Sequence, residues 1–291
     1  MNIEEEVRSG YTIPVEMKKV WKVQMDLLKK LLEVCEKYHL KIWAEGGTLL
    51  GTIREHGYIP WDDDIDRAMF RDDFDILVKV APKEFSHPFF FQYGYSEKNY
   101  PLGYAKLRMD GTTAIEPDIK YFHIHQGIFI DIFPLDAVPD RQSKLNCLIA
   151  EREKYLSSLL VCSVSPSLYH PGRSFRTVFS RFRYKSLFSR FENVLRENSI
   201  DNNEYLSCLS FIIDEQHYFW RKEWYKSTLY LPFENILMPV PDGYHCILEK
   251  QYGDYMTPKK CSGYHSFWKL DAEQSYKNYL QELKSALKSK H

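Results

Sequence analysis

Two neighbouring stretches of the chain hold the residues best suited to chemistry. They are Glu45-Gly-Gly-Thr-Leu-Leu-Gly-Thr-Ile-Arg54 and Gly57-Tyr-Ile-Pro-Trp-Asp-Asp-Asp-Ile-Asp66. If Ile65 is extended, side chains two apart share a face, so Asp64 and Asp66 point the same way and Asp62 continues their row. Like charges this close repel, so the row needs a cation or raises the pKa of at least one member. Oxygen ligands without a His or Cys pair nearby favour Mg²⁺, or Mn²⁺, over zinc. Gly46 and Gly47 let the backbone approach a ligand closely, and Thr48 reads as the N-cap of a helix carrying Leu49, Leu50 and Ile53. The N-terminus of that helix then faces phosphates. A strand-turn-helix joint followed by a solvated acidic loop is the plainer reading. The Gly-Gly turn, the arginine and Asp-x-Asp within about twenty residues outweigh it.

A third carboxylate is expected from Gly127-Ile-Phe-Ile-Asp-Ile-Phe-Pro-Leu-Asp136. Asp131 is the charge inside a β-prone run, with Ile128, Ile130 and Ile132 on one face and Phe129, Asp131 and Phe133 on the other. Left alone in a core it would cost several kcal/mol, so it is expected beside Asp64 and Asp66 on a neighbouring strand. Asp136 reads as a turn cap. Lys106 and Arg108 share a strand face that could hold a pyrophosphate, with a solvated edge strand equally consistent. Arg54 is the stronger phosphate candidate because its guanidinium can bind bidentately. Glu45 is a second candidate base beside Asp131, and Trp61 a candidate wall of the site by position. His123 and His125 lack a third soft ligand and are expected to be hydrogen-bonding or surface residues, not a zinc pair.

These blocks, with Leu231-Pro-Phe-Glu-Asn-Ile-Leu-Met-Pro-Val-Pro241 and Tyr252-Gly-Asp-Tyr-Met-Thr-Pro258, resemble the LicD family in order and spacing, from about Val15 to Pro258. The family comprises phosphorylcholine transferases of bacterial surface glycans and is related to fukutin-type ribitol-phosphate transferases. The resemblance implies an α+β, nucleotidyltransferase-like fold of the DNA polymerase beta superfamily. It also implies a CDP-linked alcohol as donor, a glycan or lipid-linked glycan as acceptor and CMP as product, with Asp64, Asp66 and Asp131 aligned with the metal-binding carboxylates. The chain departs from the pattern at Arg67 and Phe70; Arg67, opposite the carboxylates, is expected at a sheet edge. Two other function classes stay open. One is nucleotidyl transfer from an NTP with pyrophosphate release; the other is a non-catalytic nucleotide-binding module, against which the intact carboxylates argue.

The elements that must position these residues follow from periodicity. A helix after Pro14 carries Trp21, Met25, Leu28, Leu32 and Cys35 on one stripe and ends near His39. Strands are expected around Ile42, Ile65, Phe90, Leu107 and Ile130, with helices at about Thr48–His56 and Asp72–Val80. Residues 1–140 form the expected catalytic core and 141–230 a mostly helical subdomain. Residues 231–291 return to the core and end in a helix over Ala272–Lys288. With 291 residues, 44% of them hydrophobic and 15% aromatic, the chain can bury a large core. A net charge of −1 predicts no nucleic-acid partner. Six cysteines without Cys-x-x-Cys spacing, and no long apolar run, point to a reduced, cytoplasmic setting, at the inner face of the membrane if the acceptor is lipid-linked. The run Gly172–Phe191, with Arg173, Arg176, Arg181, Arg183, Lys185 and Arg190 among phenylalanines, suits either an anionic leaflet or a solvated helix with a phenylalanine core face.

Overall fold

A computed structural model describes residues 2–117, 122–163, 174–210, 218–259, 267 and 269–288; the side chains of 161–162, 174–182, 283–284 and 286–288 fall outside that description. Mixed α and β structure surrounds one main sheet of seven strands. Two strands form its centre, β4 (Asp66–Phe70) and β8 (Phe129–Ala137), paired in parallel with Asp66 opposite Asp131. All other pairings in the sheet are antiparallel: β3 (Trp43–Ala44) on β4, β6 (Ala105–Met109) on β8, β5 (Phe89–Gln92) on β6, β9 (Tyr205–Ser207) on β8, and β10 (Trp220–Arg221) on β9. Strands 9 and 10 come from the stretch expected to be mostly helical. That stretch supplies the pair α4 (Gln142–Ser163) and α5 (Ser174–Leu195), then rejoins the sheet.

The N-terminal hairpin of β1 (Glu6–Arg8) and β2 (Tyr11–Ile13) leads into α1 (Val15–Lys37). Its buried stripe includes Trp21, Met25, Leu28 and Cys35, as the 3.6-residue period requires. Two side chains of this helix also reach the acidic loop. Trp21 Nε1 donates to the Asp62 carbonyl at 2.9 Å and Gln24 Nε2 to the Asp63 carbonyl at 2.7 Å, so α1 fixes the backbone that presents the carboxylates. Between β3 and β4 lies α2 (Gly46–Arg54), and α3 (Arg71–Glu84) follows β4.

Arg67 is not at a sheet edge: β3 and β8 flank β4 on both sides, and the side chain is fully buried. The hairpin β11 (Thr228–Phe233) and β12 (Ile236–Pro241) lies over it, with Met238 Sδ against the guanidinium. Burial lowers the Arg67 pKa to about 9. The opposite face of the strand carries the carboxylates. A short strand β7 (Thr113–Ile115) pairs with β13 (Lys269–Asp271); α6 (Tyr244–Tyr252) and α7 (Tyr276–Lys288) complete the chain. On α5, Tyr184, Phe188 and Phe191 are buried while Arg183, Lys185 and Arg190 face solvent. Residues 172–173 and the side chains of Phe175, Arg176, Phe179, Arg181 and Phe182 lie outside the described residues. Among the described residues, no helix is long and apolar enough to cross a membrane.

Candidate active site

Strand pairing brings the distant carboxylates together. Asp131 on β8 stands in register with Asp66 on β4, and in a parallel pair opposed residues project from the same face. The Asp131 amide donates to the Ile65 carbonyl at 2.9 Å, which sets Asp64 beside them, one alternation before Asp66. Ligand oxygens of Asp62, Asp63 and Asp64 approach within 4.8 Å of one another. Asp63, absent from the expected site, thus joins its rim through the loop that α1 anchors. Burial, and then the charges of Asp64, Asp131, Asp62 and Glu45, push the Asp66 carboxyl well above the usual range. A group so placed is neutral or needs a cation. The donor set is carboxylate oxygen. Cys208 borders the same space, but burial pushes its thiol up to about 12, so it stays protonated.

The glycines are in contact with these acids. Gly46 and Gly47 are the first residues of α2, whose N-cap is Glu45 without a capping side-chain bond. Thr48 is therefore not the N-cap: its hydroxyl turns away from the helix end and accepts the Asp66 amide at 2.8 Å, tying the helix to the strand. At Gly46, φ is +53°, and a Cβ would lie 3.2 Å from Asp66 Oδ2; at Gly47 it would lie 2.7 Å from Asp62 Oδ2. Both positions need glycine because the carboxylates occupy the space a side chain would fill.

Two clefts meet along this acidic line, sharing Gly47, Asp64, Asp66, Gln251 and Tyr252. The first, of about 460 Å³, adds Glu45, Lys106, Glu116, Asp131, Ser207 and the rings of Tyr104, Phe133, Tyr218 and Trp220. The second, of about 490 Å³, adds Arg54, Trp61, Asp62, Asp254, Tyr255 and Lys259. Among the described residues, enclosed polar atoms on these walls meet no partner: Glu45 Oε2, Ser207 Oγ and Gln251 Oε1. Leaving such atoms unmade costs about 1–3 kcal/mol each, which a polar ligand would recover. Burial pushes the Glu45 carboxyl up to about 7 against the opposing hydrogen bond from Trp220.

Lys106 Nζ stands 2.9 Å from Asp131 Oδ1 and 3.7 Å from Glu116 Oε1, as the countercharge inside the first cleft. Arg108 is fully buried instead, bonded to Gln92 and, at 2.7 Å, to the Gly127 carbonyl, and it lines neither cleft. Arg54 does line the second cleft, with Nε 2.8 Å from Glu55 and one terminal nitrogen 3.0 Å from the Tyr255 carbonyl. Trp61 is in the same wall, edge-on to Tyr11. His125 is a core residue, stacked on Phe90 and bonded to Asp110 at 2.8 Å; burial lowers its pKa to about 4. Asp136 does not cap a turn: it forms a buried two-bond pair with Arg71, at 2.6 and 2.7 Å. Tyr104 and Phe133 were legible as the residues two from Lys106 and Asp131 on their strand faces. Tyr218, Trp220 and Gln251 had no such signal, because remote segments bring them in.

A family model described as the nucleotidyltransferase domain of LicD/FKTN/FKRP proteins matches residues 39–147, which include Glu45, Arg54, Asp64, Asp66, Lys106 and Asp131. The chain is 28% identical over 239 residues to the lipopolysaccharide cholinephosphotransferase LicD of Haemophilus influenzae, covering 80% of this chain and 89% of that protein. It is 39% identical over 114 residues to an uncharacterized protein of Rickettsia prowazekii, covering 39% of each. A second uncharacterized protein, from Rickettsia typhi, is 37% identical over 106 residues, 36% of this chain and 30% of its own length.

Proposed function

We propose, from the premise that this chain carries a LicD-family nucleotidyltransferase domain, that it is an enzyme transferring a phosphorylated alcohol from a CDP-linked donor to a hydroxyl of a cell-surface glycan precursor, with release of CMP. The observation that carries this reading is the convergence of Asp64, Asp66 and Asp131 with the start of α2 on the line where two clefts meet. The relative that acts on lipopolysaccharide supports a glycan acceptor.

The carboxylate oxygens of Asp64, Asp66 and Asp131, with Asp62 at the rim, suit Mg²⁺ or Mn²⁺. When bound there, such an ion neutralises charge developing on the transferred phosphoryl group. The chain's own residues do the rest. Arg54 and Lys259 give the second cleft the positive charge that the nucleotide phosphates need. The acceptor then enters opposite the leaving CMP, from the first cleft, as an in-line displacement requires. A bond forms between the acceptor oxygen and the β-phosphorus while the bond from that phosphorus to the oxygen shared with CMP breaks. The hydroxyl proton passes to Glu45, whose carboxyl, near 7, is suited to accept it at neutral pH. Asp131 is held by Lys106 Nζ at 2.9 Å.

The test is an incubation with Mg²⁺ and CDP-choline, CDP-ribitol, CDP-glycerol or CTP in turn, scoring CMP against pyrophosphate. CMP from a CDP-alcohol, abolished by EDTA and restored by Mg²⁺ or Mn²⁺, is the expected result. Pyrophosphate from CTP with no CMP from any CDP-alcohol would replace this reading by nucleotidyl transfer.

A further inference from the structure

The residues that border both clefts differ in what they can offer a phosphoryl group held where the clefts meet. Asp64 and Asp66 offer negative charge, and Gly47 a backbone amide. Gln251 and Tyr252 are the shared side chains that can donate a hydrogen bond. The charged donors nearby are engaged: Lys106 meets Asp131 and Glu116, and Arg54 meets Glu55 and the Tyr255 carbonyl. We propose that Tyr252 is a catalytic residue whose hydroxyl donates a hydrogen bond to an oxygen of the phosphoryl group in transfer. This deepens the transferase reading above and rests on it.

Two helices place that hydroxyl. Tyr252 is the last residue of α6, whose Ile247 and Leu248 are fully buried and whose Lys250 Nζ donates to the Phe219 carbonyl at 2.7 Å. Gly253, at φ +66°, ends the helix there, and its amide closes the last turn on the Glu249 carbonyl at 2.8 Å. Beyond it, the Tyr255 hydroxyl meets His245 Nδ1 at 2.8 Å while the Tyr255 carbonyl takes the Arg54 bond, so the segment is tied back to α6 and across to α2. Tyr252 is 36% exposed where it borders the clefts, and its hydroxyl reaches the start of α2. A Cβ at Gly46 would lie 4.0 Å from that hydroxyl and 3.2 Å from Asp66 Oδ2. The missing side chain thus leaves a space with a donor on one side and a carboxylate on the other.

A neutral donor suits this place. In phosphoryl transfer the charge spreads over the equatorial oxygens of the transferred group. Beside Asp64, Asp66 and Asp131 those oxygens are repelled unless donors or cations meet them, and a donor fixed in advance acts most strongly where charge develops. A phenol, with an ordinary pKa of about 10, carries its proton at neutral pH. Burial, and then the charges of Asp66, Glu45 and Asp62, raise it further. Tyr252 therefore donates without giving up its proton. The bond formed is still that from the acceptor oxygen to the β-phosphorus, the bond broken that to the oxygen shared with CMP, and the acceptor's proton still passes to Glu45.

The test is Tyr252→Phe, which keeps the ring and removes the hydroxyl alone, assayed with CDP-choline and with its two diastereomers that carry sulfur in place of a β-phosphoryl oxygen. The kcat for CMP release should fall on the order of tenfold to a hundredfold, while donor KM, CMP affinity by calorimetry and melting temperature stay close to parental. Sulfur accepts hydrogen bonds weakly, so in the parent the diastereomer with sulfur facing Tyr252 should be slow. In the variant that penalty should shrink by on the order of tenfold, because the bond it weakens is already gone, and the other diastereomer should keep its penalty. Parental kcat in Tyr252→Phe would overturn the proposal. So would a raised KM at unchanged kcat, which would make the hydroxyl a ground-state contact. A lower kcat with both sulfur penalties unchanged would also overturn it, since the hydroxyl would then act on the protein and not on the phosphoryl group. These three results leave the transferase reading standing, whereas no CMP from any CDP ester with the parent would remove both.

Discussion

Asp66 is the residue on which the separate constraints act together. Its amide is held by Thr48, its carbonyl accepts the Glu45 amide at 3.1 Å, its carboxylate excludes a side chain at Gly46, and its strand position faces Asp131. A carboxylate so confined, and raised by burial and then by its acidic neighbours, is stabilised when positive charge is brought to it. Asp64→Asn, Asp66→Asn and Asp131→Asn should each lower CMP release by at least about a hundredfold, since each removes charge stabilisation at the phosphoryl centre. Circular dichroism should show each variant folded. Near-parental turnover in Asp131→Asn would take that residue out of the chemistry. At this scale the acids were legible because a lone charge in a β-prone run has few explanations. The cations were harder. Lys106 and Arg108 share a strand face and read alike, yet Lys106 meets Asp131 while Arg108 turns to Gln92 and Gly127. Alternation fixes the side of a sheet but not how far along it a cleft extends.

At the scale of elements, α2 and β4 work as one part, because Thr48 joins them and Gly47 lets Asp62 lie against the helix start. Gly47→Ala would put a methyl group 2.7 Å from Asp62 Oδ2, so the acidic loop must move. The expected outcome is a loss of turnover on the order of tenfold or more with little change in melting temperature, since the strain falls on the acidic loop and alanine loses less backbone freedom than glycine on folding. A large fall in melting temperature instead would mean that the glycine serves packing and not the site. Whereas Leu231–Pro241, which reads as one Pro-rich extended piece, spans a hairpin that turns between Phe233 and Ile236, helix α1 and strand β8 were legible from apolar period and β-branched residues. Gln24 was not: a buried amide on an apolar stripe gains its role only from the Asp63 carbonyl that it meets across the fold. Likewise β9 and β10, of three and two residues, are too short for a periodic signal, and pairing with β8 alone makes them strands.

For the whole molecule, the site is a local destabilisation that the rest of the core supports. One buried cluster runs from Ile13 through α1, the sheet, α5 and the 228–241 hairpin to Tyr255, and the run Asp62–Asp66 places four carboxylates beside it. Titration makes that cost visible. Glu45 has its proton held more tightly when folded, at about 7 against an ordinary 4.5, and Asp66 is raised too. Their contribution is complete below the unfolded value and is lost as pH rises through the folded one. His125 acts in reverse: lowered to about 4 from 6.5, it removes stability as pH falls between those values. Below about pH 6.5 the two trends oppose each other; above it the carboxyl trend stands alone. Metal-free protein should therefore melt several degrees lower at pH 8 than at pH 6.5, with 1 kcal/mol corresponding to roughly 2–4 °C at this size. Glu45→Gln should flatten the slope. Mg²⁺ should raise the melting temperature more at pH 8 than at pH 5.5, because the ion competes with protons for the same carboxylates. Scanning calorimetry at these pH values, with and without the ion, decides it: a Mg²⁺ shift independent of pH would mean that the ion binds elsewhere than at Asp64, Asp66 and Asp131.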